Sequence, residues 1–150
     1  MRRLVLVTSI AADPAVAFDL STDLDLHAAS MQRSHERAIA GRTSGHIGLG
    51  ESVTWRARHL GIWWTMTSRI ETFDRPIRFV DAQVRGPFGV YRHEHRFAAL
   101  PGETVMTDLV DVAAPFGLIG RPFEGLVARY IERVLTQRNE AIARAATSMR

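Results

Sequence analysis

Cysteine and lysine are both missing from the 150 residues. Without cysteine there is no disulfide framework, no thiolate metal centre and no cysteine nucleophile, and the redox compartment is left open. Without lysine, Schiff-base chemistry is excluded. All 19 basic residues are therefore arginine, scattered along the chain among 16 acidic ones. The sequence pI of about 10.5 rests on a net charge of only +3. No basic run and no aromatic-interleaved basic motif occurs, which argues against a nucleic-acid partner. No serine sits on a glycine-flanked elbow, so a Ser-His-Asp hydrolase signature is missing too. The GHIGLG stretch, Gly45 to Gly50, has the wrong spacing and context for a dinucleotide fingerprint.

Long apolar runs are also scarce, and none approaches a membrane span. The start, MRRLVLVTSIAA, imitates a signal peptide. Thr8 and Ser9 break its apolar run before the roughly 7 to 15 residues that such a segment needs, so a first β-strand is the better reading. The expectation is one soluble, cytoplasmic domain, with roughly two thirds of its unfolded surface buried.

What is present is a regular order of elements. Arg3 to Ile10 alternates as a strand. Asp13-Pro14 starts a short helix to about Leu20, with the Asp side chain as cap, and Thr22 or Asp23 caps a second from Leu24 to Met31. Gln32 to Gly50 reads as mostly loop, with a short strand near Ile39 or His46. From Glu51 the pattern becomes a meander of strands. These cover Val53 to Arg58, Ile62 to Phe73, Ile77 to Arg85, Gly89 to Phe97 and Thr104 to Ala114, with short turns that place them side by side. From Phe123 apolar residues recur at helical spacing, with Arg129, Arg133, Gln137, Arg138 and Glu140 on the opposite face. A helix from Pro122 to Thr147 would be about 39 Å long and must lie across the sheet to bury its stripe.

The stretch GPFGVYRHEHRF, Gly86 to Phe97, is the chemically unusual one. Alternation puts Tyr91, His93, His95 and Phe97 on one face of a strand and Val90, Arg92, Glu94 and Arg96 on the other. Two histidines between two aromatics on an inward face need partners. If Phe97 faces Thr104 across the hairpin, His95 stands opposite Met106, His93 opposite Asp108 and Tyr91 opposite Val110. A carboxylate beside an imidazole fixes its tautomer, as acid–base work requires, and makes His93 and Asp108 the candidate catalytic pair. A slip by one residue would put His93 opposite Leu109 and remove the pair. The i, i+2 spacing of His93 and His95 also suits metal ligation, but His35, His46 and His59 lie on distant loops, so neither a metal nor another cofactor is expected.

The order of strand, two short helices, antiparallel strands and long C-terminal helix resembles the START-like or SRPBCC superfamily over essentially the whole chain. The strings RFVDAQVRGPFGVYRHEHRF (Arg78 to Phe97) and TVMTDLVDVAAPFG (Thr104 to Gly117) are similar to its bacterial ligand-binding and polyketide cyclase/dehydrase-like subgroup. The resemblance implies an α+β helix-grip fold, a curved antiparallel sheet of six or seven strands wrapped around the C-terminal helix. It also implies a cavity between sheet and helix for a small hydrophobic or amphipathic molecule. By alternation the lining candidates are Trp55, either Trp63 or Trp64, Met66, Phe79, Tyr91, His93, His95, Phe97, Met106, Phe116, Phe123 and Tyr130. Three functions fit: a binding module, a cyclase or dehydratase using His93 and Asp108, or an interaction protein whose cavity is vestigial.

Overall fold

The computed structural model describes residues 1–149. Strand β1 (Arg2–Ile10) leads into helices α1 (Pro14–Ser21) and α2 (Leu24–Ser30). Strands β2 (Arg37–Gly41), β3 (Ser52–His59), β4 (Ile62–Asp74), β5 (Arg78–Arg85), β6 (Val90–Leu100) and β7 (Glu103–Ala113) follow, and helix α3 (Glu124–Ser148) ends the chain. The seven strands form one antiparallel sheet in the order β1-β7-β6-β5-β4-β3-β2. Strands β2 to β7 are neighbours through their own turns. The pairing of β1 with β7, which aligns Arg2 with Val112 and Ile10 with Thr104, brings the first and last strands together.

Local chemistry explains most boundaries. Asp23 caps α2, its Oδ1 accepting from the N–H groups of Asp25 at 2.9 Å and Leu26 at 3.2 Å. Asp13 departs from expectation: Pro14 opens α1, but the Asp13 side chain makes no capping hydrogen bond. The strand expected near Ile39 is β2, whereas His46 forms only an isolated bridge to Asp23. Helix α3 starts two residues later than Pro122, because Arg121–Phe123 form a 3-10 turn first.

The β6–β7 hairpin has a different register from the one expected. Leu100 pairs with Glu103 around a two-residue turn, Pro101-Gly102, in which Gly102 takes φ +77°. Phe97 then faces Met106, His95 faces Asp108, His93 faces Val110 and Tyr91 faces Val112. The expected pairing would have left a six-residue loop. The tight turn closes it and shifts β7 by two residues, which keeps every side chain on its expected face.

The concave face of the sheet packs on α1, α2 and α3 through two apolar clusters. One, around Phe18, Trp55, Phe79, Phe97, Met106 and Ile142, lies beneath α1 and α2. The other, around Tyr91, Val110, Val112, Ala128 and Leu135, lies toward the start of α3. Arg138, expected on the solvent face of the last helix, is instead only 4% exposed. It shares the spacing of Leu135 and Ile142, three residues after one and four before the other, so the helical period turns it inward with Asn139.

Candidate functional site

A layer of polar side chains separates the two apolar clusters. Strand β6 contributes His93 and His95, β7 contributes Asp108, β5 contributes Asp81, and α3 contributes Arg138 and Asn139. His93, His95 and Asp108 are 3%, 1% and 0% exposed, so every polar contact here replaces one with water.

The two imidazoles stack face to face, with centroids 3.7 Å apart and planes 20° from parallel. Phe79 stacks on the other face of His95 at 3.9 Å, and Tyr91 meets the His93 ring edge-on at 6.4 Å. A carboxylate flanks each histidine. His93 Nε2–H donates to Asp108 Oδ1 at 2.6 Å, and His95 Nε2–H donates to Asp81 Oδ2 at 2.8 Å. Asp108 Oδ2 accepts from Asn139 Nδ2 at 2.7 Å, and the same amide lies 3.2 Å from Thr8 Oγ1. Arg138 donates to Asn139 Oδ1 at 3.2 Å and to the Ser21 carbonyl at 3.1 Å. His95 Nδ1 has no hydrogen-bond partner and lies 3.3 Å from Asp108 Oδ1.

These contacts set the electrostatics. Burial alone would push the Asp108 carboxyl up, but the hydrogen bond from His93 and the closeness of the His95 ring outweigh it and hold it well below the ordinary carboxylate range. Asp81 is lowered in the same way, by its hydrogen bond from His95 against the effect of burial. Burial, helped by the neighbouring His95, pushes His93 down despite its bond to Asp108. His93 is therefore neutral near pH 7, with its Nε2–H directed at Asp108. Its Nδ1 has no hydrogen bond among the described residues and is left with a free lone pair.

Asp81, His93 and His95 each offer a metal-ligand atom, all within 4.8 Å of one another. Nearly parallel stacked rings direct their in-plane lone pairs side by side, however, and a zinc ion needs them to converge at about 2.0–2.1 Å. The layer as it stands is built for hydrogen bonds, and metal binding would require the rings to reorient.

The remaining predicted residues divide by location. Phe79, Phe97, Met106 and Trp55 are buried in the cluster beneath α1 and α2, with Trp55 against the His27 ring at 4.4 Å. Trp64 shares the inward face with Met66, because it pairs with buried Ala57 while Met66 pairs with buried Trp55. Its Nε1–H donates to the His59 carbonyl at 3.2 Å. Trp63 faces outward beneath the Arg56 guanidinium. Tyr130 is half-buried and bonds His59 Nδ1 at 2.6 Å, tying the β3–β4 turn to α3. Phe116 and Phe123, expected in the lining, are 80% and 58% exposed. The segment after β7 turns away from the concave face, with Phe116 at φ +69°, and neither ring joins the two clusters.

Asp81, Arg138 and Asn139 were missed from sequence. Asp81 carried a readable signal, since alternation places it on the face of Phe79. Arg138 was assigned to the opposite face of α3 for its charge and Asn139 was given no role, although the helical period places both beside Leu135 and Ile142. Beside this layer, a groove of about 810 Å³ runs between α2 and α3 with charged walls that include Arg33, Arg133 and Glu140. A crevice too narrow for water, lined by Ser21, Leu26, His27 and Ile142, separates it from Arg138. Among the described residues no helix is long and apolar enough to cross a membrane.

No curated protein matches the chain by sequence. Solved structures share its fold at low identity. TTHA0849 from Thermus thermophilus is 17% identical with a TM-score of 0.75, over 96% of this chain and 99% of that one. The Zhui aromatase/cyclase from Streptomyces sp. R1128 is 19% identical with a TM-score of 0.71, over 97% and 93%. A START superfamily protein from Mycobacterium smegmatis is 11% identical with a TM-score of 0.75, over 99% of each chain. These likenesses establish the helix-grip fold expected from the sequence. Residues 1–147 match the model of one family, described as polyketide cyclase/dehydrase and lipid transport, and with nearly its full length covered the chain belongs to that family.

Proposed function

We propose that this protein binds one small, largely apolar molecule between the concave face of the sheet and α3, and that Tyr91 and His93 recognise a carbonyl or hydroxyl on it. The observation that carries this reading is the Tyr91 side chain. Tyr91 is only 9% exposed, and its hydroxyl makes no hydrogen bond among the described residues but keeps access to solvent. Burial, with the nearby charge of Asp81, pushes its pKa far up, so it remains a neutral donor. A phenol anchored on an apolar face with its hydroxyl open to water can exchange that water for a carbonyl or hydroxyl of a bound molecule. Around it Leu6, Met66, Phe88 and Ile131 point inward but are only partly buried, which suits an apolar guest. The family's description includes lipid transport, in keeping with such a ligand.

The test is native mass spectrometry of protein purified from its own host. One adduct per chain is expected, with its occupancy reduced in Tyr91→Phe. No adduct, together with no saturable binding of any apolar small molecule, would sink the proposal.

A second reading, that the site catalyses a cyclisation or dehydration without metal, draws on the 2.6 Å contact of His93 with Asp108. With Nε2–H held by Asp108, the free Nδ1 can take a proton from the carbon next to a carbonyl. It can then return that proton to a departing β-hydroxyl, which leaves as water. Tyr91 would polarise the carbonyl. Substituting His93→Gln distinguishes the readings: loss of turnover with binding retained supports catalysis, and absence of turnover in the unaltered protein on β-hydroxy carbonyl substrates removes it.

A further inference from the structure

One end of the molecule has an apolar surface that the interior does not use. The β3–β4 turn, the β5–β6 turn, the end of β7, the start of β1 and the start of α3 all meet there, as the pairings His59–Ile62, Val90–Ala113 and Arg2–Val112 require. In the connection between β7 and α3, Phe116, Leu118, Ile119, Phe123 and Leu126 are 58–80% exposed. Leu60 in the β3–β4 turn is equally bare at 79%. Isolated exposed apolar residues need no explanation, but five within eleven positions of one protruding segment do.

The segment is a built structure. Ile119 N–H donates to the Phe116 carbonyl at 3.1 Å, and Phe123 N–H donates to the Gly120 carbonyl at 2.9 Å. The chain folds back so tightly that a Cβ on Gly120 would lie 1.8 Å from the Pro115 carbonyl oxygen. Phe116 is held at φ +69°, a conformation unfavourable for a bulky residue, and its ring is pushed into solvent. Strain of this kind, retained where it exposes a large apolar side chain, suggests a surface that meets something.

Charge decides what that is. Arg2, Arg58, Arg85, Arg121 and Arg129 lie at this same end, are exposed and form no ion pair among the described residues. The two acidic residues nearest the knob are already neutralised: Glu124 pairs with the amino group of Met1 at 2.9 Å, and Asp111 with Arg3 at 2.8 Å. A convex apolar knob inside a ring of unpaired guanidinium groups complements an anionic lipid surface, with apolar side chains among the acyl chains and arginines at the phosphates.

We propose that the β7–α3 segment docks this protein on anionic membrane surfaces, inserting Phe116, Leu118 and Ile119 while the surrounding arginines bind lipid headgroups. The inference is independent of what the interior binds. It is tested by vesicle flotation of the full chain. The protein is expected to float with vesicles of equimolar phosphatidylcholine and phosphatidylglycerol but not with phosphatidylcholine alone, and to be released by salt at about 0.5 M, where screening is strong. The double variant Leu118→Ser, Ile119→Ser should lose affinity about tenfold or more, and Arg121→Glu with Arg129→Glu should abolish flotation. Both sets of substitutions are on exposed side chains, and an unchanged circular dichroism spectrum would verify the fold. Trp63 and Trp64, half-exposed near this end, give a second readout, a blue shift of fluorescence on anionic vesicles. Failure to float with anionic vesicles would overturn the proposal, as would undiminished flotation of the folded serine variant. A self-association in solution that the same serine substitutions abolish, without vesicle binding, would assign the surface to a second copy and equally overturn it.

Discussion

His93 stands opposite Val110 on the neighbouring strand, yet its Nε2 lies 2.6 Å from the carboxylate of Asp108, one diagonal step away. Directly opposite Asp108 is His95, whose Nδ1 is 3.3 Å from the same oxygen and has no hydrogen bond. One carboxylate thus serves two stacked imidazoles, and Asn139 from α3 secures its other oxygen. Sheet and helix are joined at this point by ionisable groups, so the site and the stability of the fold depend on the same contacts.

Replacing Asp108 with Ala removes the acceptor for His93 and Asn139 together. Each buried donor left without its acceptor costs about 1–3 kcal/mol. Urea denaturation should register a loss of that order, and Asp108→Asn, which keeps the shape but places an amide beside a donor, should recover only part of it.

Acidification should destabilise the protein in two phases. His93 has a folded pKa below the ordinary imidazole value of 6.5, so the unfolded chain binds a proton there before the folded one does. Its contribution is present in full above pH 6.5 and declines as pH falls below that value. Asp108 and Asp81 are lowered below the ordinary 3.8, so their contribution is present above that pH and lost as pH falls toward their folded values. Thermal denaturation across this range should give both declines, and His93→Gln should remove the first and weaken the second, since His93 is one of the groups that hold Asp108 down.

Substituting Tyr91→Phe deletes a hydroxyl that has no protein partner. Losing a hydroxyl that bonds only water is close to neutral, within about 0.5 kcal/mol, unlike the loss of one bonded within the protein. Calorimetry of the ligand-free protein should give an unchanged Tm.

Arg138→Met keeps the volume of the side chain but removes a guanidinium that helps to hold the Asp81 carboxyl down. The stability loss should be larger at about pH 7 than at about pH 3, where Asp81 begins to take up a proton. Denaturant midpoints at the two pH values would check it, and an equal loss at both would assign Arg138 to packing alone.

Much of this arrangement was legible beforehand. Alternation placed Tyr91, His93, His95 and Phe97 on one inward face, and the helical period predicted the long final helix. The anticipated meeting of His93 with Asp108 occurs, although through a pairing two residues from the one anticipated. Phe116 and Phe123 were misplaced because apolar character was taken as a sign of burial, whereas the turn around Gly120 directs them into solvent. Arg138 was misplaced for the converse reason, its charge outweighing its position on the stripe.

The sequence by itself determined the elements, their order and the face on which each side chain lies, since these follow from periods of two and 3.6 residues that act along the chain. Only the tertiary structure decided the partners. The Pro101-Gly102 turn set the hairpin register. The pairing of β1 with β7, over separations of about a hundred residues, placed Thr8 beside the amide of Asn139. The docking of α3 delivered that amide to the Asp108 carboxylate and set Arg138 behind it. Facing is a local property of a strand or helix, but contact depends on turns, register and packing between distant segments, and so the chemistry of the polar layer emerges only when the sheet closes on its helix.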